Sequence, residues 1–388
     1  MSMLRRFWFK ILILLLFTAF AAAGCGGVPP AVPELGPAPP EAGGVAPVRV
    51  PEQQQGLAGD FTVLRLPGLP PHFELAGWLD TETLVGRSGD RVTVFRQYTG
   101  ETFTLGGTAW NVWPAPDGSR VAYNNEQGIW VADTKTGADT LVVARDPQRE
   151  TAPGGVIWAP DSTRFLFTYE HEWDSEFFVV EPGGEPSRLD TEMENYFLKA
   201  AVAWPVADRV LFTVRASAKK DGTREYGSGY RSDFAVYDIS DGSFERITDL
   251  NDGCFITFEG SAAEGRFAYL IRDEQQRPLE TGLMDTEGRG VNRRGVNPAV
   301  SGLLTSAVGG SVYYLRPVEH VGPGDLMRIL VEQDGRLVPV VDITYDYPLR
   351  FHRSPDGRQL GFTFGAPVPV EGGYTAATFG YLIVECKR

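Results

Sequence analysis

The sequence predicts an all-β fold, a β-propeller built from four-stranded blades. Three observations predict it. A turn followed by an apolar strand recurs at intervals of about 37 to 56 residues, the period range of propellers and solenoids. Each copy is followed by a second strand, turn, strand unit, which gives four strands per repeat. The 388-residue chain has 45 glycines and 28 prolines with 43% hydrophobic residues, a mixture that suits tight hairpins around a sizeable core.

The clearest copies of the turn are Pro116-Asp117-Gly118, Pro160-Asp161-Ser162 and Pro355-Asp356-Gly357, each leading into an apolar strand. Proline pre-sets its φ angle, aspartate caps the turn with its carboxylate, and glycine accepts positive φ. Looser copies start near Asp80, Ala207, Glu264 and Gly309. Seven blades follow, and six or eight stay compatible with the degenerate stretch 254–310. Trp78, Trp113, Trp158 and Trp204 recur just ahead of the turns, a position suited to packing between blades. The second hairpins are marked by 129–133 closing at Gly137 and 234–238 closing at Gly242.

The last repeat ends on its third strand, 380–385, while 61–66 is a strand with no blade of its own. Pairing the two would complete the last blade, close the ring and remove an exposed edge. The propeller therefore spans residues 60–388. The Pro-Asp-Gly turns resemble the WD-like repeats of TolB-type propellers over roughly residues 77–388. That resemblance implies the fold, and leaves function to the loops and channel.

Residues 1–24 read as a secretory leader. Arg5, Arg6 and Lys10 precede an uncharged apolar run from Ile11 to Ala23, too short for a comfortable permanent span. The run closes on Ala22-Ala23-Gly24-Cys25, which resembles the lipobox of bacterial lipoproteins, with alanine where leucine is usual. The resemblance implies diacylglycerol on the Cys25 thiol, palmitate among its acyl chains, and an extracytoplasmic protein lipid-anchored in the cell envelope. Gly26 in place of aspartate points to an outer membrane where the host has one. Residues 25–59 form the lipidated terminus and a Pro/Gly/Ala-rich stretch without apolar periodicity, expected to be a disordered tether.

The charge excludes some functions. Losing the leader takes the formal charge from −14 to about −17. Such a body would repel phosphates, so no nucleic-acid partner is expected. No nucleophile elbow, phosphate loop, dinucleotide fingerprint or HExxH motif occurs, and the four histidines are scattered. No catalytic residue, metal or cofactor is expected. Cys254 and Cys386 fall on different blades, which favours two thiols over a disulfide.

The repeats differ most between their second and third strands, at 170–176, 216–232, 317–324 and 365–377. These turns share a face with the connections between blades, and variable loops on a rigid scaffold are where binding resides. The candidate binding residues are His171, Glu172, Trp173, Asp174, Tyr226, Tyr230 and Arg231, aromatic and charged side chains suited to anchoring a partner. The acidic spacing at 170–176 matches no calcium loop. The expected function is a non-catalytic binding or scaffold module for an envelope protein or glycan. The competing reading is a propeller enzyme, a glycosidase or lyase, with its site in the central channel. It needs two positioned carboxylates, and the inner strands supply hardly any.

Overall fold

A computed structural model describes Glu52–Glu385 except residues 56–60, 67, 71, 171–174, 193–195, 217–230, 252, 262–264, 276, 296–301, 307–311, 322–323, 334–335, 346–349, 357 and 371–372. Cys25, Cys386 and the rest of residues 1–51 lie outside that set. Every regular element among the described residues is a β-strand. They form seven antiparallel sheets, six of four strands and one of five. Each of the six is laid down in chain order from its inner to its outer strand, and the sheets begin at Phe73, Asn111, Gly154, Tyr196, Phe255 and Gly302 (blades 1 to 6).

Blade 7 is shared by the two ends of the described chain. Its inner three strands are Arg350–Arg353, Gln359–Val370 and Gly373–Glu385. Phe61–Arg65 pairs antiparallel with the third of these, Phe61 opposite Glu385 and Arg65 opposite Tyr381. The Leu66 N–H then donates to the Gly380 carbonyl at 2.9 Å. The ring is closed as the lone strand 61–66 predicted. One difference concerns the expected tether: Glu52–Gln55 forms a fifth strand on the outside of Phe61–Arg65.

Apolar clusters sit between neighbouring blades rather than at one centre. Val85, Val92 and Val94 of blade 1 meet Val112, Val121 and Tyr123 of blade 2. At the seam, Leu66 of the closing segment packs with Phe73, Leu75, Trp78, Leu84 and Phe95 of blade 1. The tryptophans are packing residues, as their repeat position predicts: Trp78, Trp158 and Trp204 are buried. Two of them also tie blades together. The Trp158 indole donates to the Trp113 carbonyl at 3.0 Å, and the Trp78 indole donates to the His352 carbonyl across the seam at 3.1 Å.

The turns explain their own sequence. Gly118 has φ +69°, and a Cβ there would lie 1.6 Å from the Leu79 carbonyl oxygen of blade 1. Blade 3 places Ser162 at the same turn position with φ 61°. Its hydroxyl accepts the Asp117 N–H of blade 2 at 3.0 Å, which offsets the strain of a left-handed serine.

Candidate binding face

Chain direction divides the connections into two rims. Inner strands run into the Pro-Asp-Gly-type turns, so these and the turns between third and outer strands share one rim, the turn rim. Links between second and third strands, and between blades, share the opposite loop rim.

The loop rim is uneven. In blade 1 two residues, Gly89 and Asp90, join Ser88 to Arg91. In blade 3 the paired residues Glu170 and Ser175 flank 171–174, and in blade 4 Ala216 and Arg231 flank 217–230. His171, Glu172, Trp173, Asp174, Tyr226 and Tyr230 lie outside the described residues, in these two links. The segments expected as loops at 317–324 and 365–377 are instead largely strand. Blade 6 continues as Val312–Val321 and Gly324–Gln333, and blade 7 as Gln359–Val370 and Gly373–Glu385. Proline and glycine in both segments look like loop signals, yet the two strands pair with each other down the length of each hairpin.

Arg231, the one candidate that is described, sits at the base of its link. Its guanidinium pairs with the Asp233 carboxylate at 3.5 Å and with Asp249 at 3.6 Å. Asp233 is fully buried and also accepts the Thr248 hydroxyl at 3.0 Å and the Leu250 N–H at 2.9 Å, with Arg246 at 3.6 Å. Beside it, the buried Ser232 hydroxyl accepts the Ile256 N–H at 2.8 Å. The strand that follows the link 217–230 is therefore tied at its start to blade 5.

A second group lies beside 171–174. Arg149, on the link from blade 2 to blade 3, pairs with Glu176 and with Asp146 at 3.4 Å. Its guanidinium lies 4.1 Å from the Tyr169 ring centroid and 5.6 Å from that of Phe178. The bond to Glu176 raises the Arg149 pKa, and burial raises that of the Tyr169 phenol. Arg188 holds the other Glu176 oxygen at 3.2 Å. Trp110, on the link from blade 1 to blade 2, is 48% exposed on the same rim. Neither Arg149 nor Trp110 is marked by the repeat, because each falls in a connection where no periodic pattern operates.

Among the described inner-strand residues one carboxylate is half-buried. Glu259 of blade 5 sits where the register of Phe255–Ser261 slips between Phe258 and Gly260. Burial raises its pKa, while the Thr257 hydroxyl, donating at 2.6 Å, and Arg272 oppose the rise. The other inner-strand acid, Glu74, is paired with Arg87 at 2.9 Å. Among the described residues no group of His, Cys, Asp and Glu is arranged to hold a metal ion. Cys254 is a half-buried free thiol.

The chain matches no protein-family model and no curated protein. Solved structures similar to it are propellers. Oligogalacturonate lyase from Vibrio parahaemolyticus aligns over 87% of this chain and 97% of its own, at 12% identity and a TM-score of 0.59. TolB from Acinetobacter baumannii covers 71% of this chain and 63% of its own, at 17% identity and a TM-score of 0.43. The β-propeller domain of the Trilobed protease from Pyrococcus furiosus covers 85% and 96%, at 13% identity and a TM-score of 0.48. At such identities the likeness is one of fold, and the fold is a β-propeller.

Proposed function

We propose that this chain is a lipid-anchored envelope protein whose propeller acts as a non-catalytic binding or scaffold module. Its partner is an envelope protein or a glycan, met on the loop rim. The supporting observation is the unevenness of that rim: a two-residue link in blade 1, and in blade 4 a link of 217–230 whose flanking pair, Ala216 and Arg231, adjoins the buried Asp233. Arg149 fixes the hairpin carrying 171–174, and Trp110 adds an exposed indole of the kind that anchors interfaces. Crosslinking in intact cells followed by pull-down tests the reading. Recovery of a discrete envelope partner supports it, and recovery of none opposes it. The anchor is tested separately: Cys25→Ala moves the protein from the membrane to the soluble fraction, and membrane retention without palmitate labelling refutes acylation.

A second reading, a channel enzyme of the lyase or glycosidase type, draws on Glu259. A carboxyl with a pKa raised by burial is suited to general acid catalysis. Among the described inner-strand residues it has no paired carboxylate of the kind glycoside hydrolysis requires, because Glu74 is exposed and bound to Arg87.

A further inference from the structure

We propose that the turn-rim cleft between blades 4 and 5 is a binding site for a small carboxylate, held by arginines of both blades and bridged in the free chain by the Glu287 carboxylate. The site lies on the opposite rim from the variable links and does not rest on the binding function proposed above.

The repeat explains why a cleft opens there. In three gaps a tryptophan near the end of the inner strand packs against the preceding blade. Trp158 meets Ala115 and Ala122 of blade 2, Trp204 meets Leu166 and Phe177 of blade 3, and Trp78 meets Leu66 at the seam. Blade 5 breaks the pattern. Trp204 stands five residues before Arg209, and the residue five before Arg266 is Ser261. Among the described residues, the cluster between blades 4 and 5 contains no tryptophan. At the turn rim the same two blades border a cleft of about 330 Å³, within the size range of small-ligand sites. Val206 and Gly265 line it. Gly265 has φ +69°, and a Cβ there would lie 2.6 Å from the Val206 side chain.

The arginines follow from the same repeat. Arg120, Arg164, Arg209 and Arg266 occupy one position, leading into the apolar second strands of blades 2 to 5. Arg164 shows what this position does where the next blade supplies the tryptophan. Its guanidinium lies 5.3 Å from the Trp204 ring centroid and donates to the Ala207 carbonyl and to Asp208 of blade 4. In blade 5 a serine takes the place of that tryptophan, and Arg209 reaches instead to the turn between the third and outer strands. It donates to the Thr286 hydroxyl at 3.4 Å and to Glu287 at 2.5 Å, and pairs with Asp238 of its own blade at 3.4 Å.

Glu287 shows what the cleft can hold. One of its oxygens meets Arg209 and the other meets Arg289 at 2.9 Å. Arg266 also lines the cleft, as does Asp285, which is bound to Arg289 at 2.8 Å. The Glu287 side chain is 46% exposed, and exposed ion pairs hold weakly. A soluble carboxylate can therefore take over its two guanidinium contacts while Glu287 turns to solvent. Guanidinium forks match the geometry of carboxylates in particular. In a chain of formal charge −14, three guanidiniums around one cleft are a local feature that draws an anion in.

The test is calorimetric titration of the full chain in detergent, at low ionic strength, with citrate and with sulfate as an anion lacking a carboxylate. Citrate binds the parent chain, and binds Glu287→Gln about two- to fivefold more tightly, the gain that release of an exposed ion pair provides. Arg209→Gln loses the binding. Ser261→Trp restores the repeat's own residue and also loses it, with thermal melts checking that each variant folds. Should Ser261→Trp not fold, Glu287→Gln and Arg209→Gln decide alone. Three results overturn the proposal: no citrate binding by Glu287→Gln, binding that survives in the folded Arg209→Gln and Ser261→Trp chains, or sulfate bound as tightly as citrate.

Discussion

Replacing Asp233 with alanine tests whether the base of the 217–230 link is a built platform. The carboxylate is fully buried, accepts the Leu250 N–H and the Thr248 hydroxyl, and faces Arg231 and Arg246. Removing one partner of a buried ion pair costs about 3–5 kcal/mol. A buried donor left without an acceptor costs about 1–3 kcal/mol. The two do not add in full. Arg231 and Arg246 retain 26% and 29% side-chain exposure and still reach Asp249, so water recovers part of the loss. The net expectation is about 3–4 kcal/mol, with Asp233→Asn costing less because its side-chain oxygen can still accept the Leu250 N–H. Urea unfolding followed by tryptophan fluorescence reads the change. Asp249→Ala is the control: its carboxylate is 72% exposed, so its loss should cost under about 1 kcal/mol. If Asp233→Ala were no worse than Asp249→Ala, the buried-platform account of blade 4 would be wrong.

Further predictions concern the seam and acid sensitivity. Leu66→Ala removes a 4%-exposed side chain from the cluster joining blade 7 to blade 1 and should cost about 2–5 kcal/mol by urea unfolding. A cost below about 1 kcal/mol would mean the closing segment is not load-sharing. The turn aspartates make the fold acid-sensitive. In the folded state Asp161 and Asp133 titrate below the usual carboxylate range, chiefly because each accepts a backbone N–H, from Thr163 and Thr136 respectively. With folded pKa values below unfolded ones, their contribution is present above about pH 4 and is lost as pH falls through the lowered values. Melting temperature should therefore drop below pH 4. Asp161→Asn should lower stability at pH 7 and flatten the acid limb, and an unchanged pH profile would contradict the assignment.

The repeat and its closure were legible in the sequence because they rest on short-range chemistry. A Pro-Asp-Gly turn and an alternating apolar strand announce themselves within ten residues, and an unpaired strand at each end implies the seam. The fifth strand was not legible. Glu52-Gln-Gln-Gln55 has no apolar alternation, and only an available edge on Phe61–Arg65 makes it a strand. The tall hairpins of blades 6 and 7 have the sequence of loops for a related reason: Pro317, Pro367 and Pro369 are strand-breaking signals, yet Pro317 lies where its strand has lost its inner neighbour, and Pro367 and Pro369 lie where only the two hairpin strands pair, so each has an open side. Arg231 was legible as a charged residue beside a variable link. Its commitment to Asp233 was not, because the pair is completed by Thr248 and Leu250 from the next connection. Glu259 depends on a register slip that no single-strand pattern reports.

If the loop rim captures an envelope partner, as proposed, while the ring serves as its frame, the 217–230 link is dispensable to the fold and required for capture. Ala216 and Arg231 are paired as Ser88 and Arg91 are, so 217–230 can be replaced by a Gly-Asp turn of the kind that joins the latter pair. This keeps Arg231, Ser232 and Asp233 in place. Crosslinked capture from intact cells is then compared for the two chains, alongside their thermal melts. An unchanged melt with partner capture abolished is the expected result; full capture by the shortened chain would overturn the loop-rim proposal.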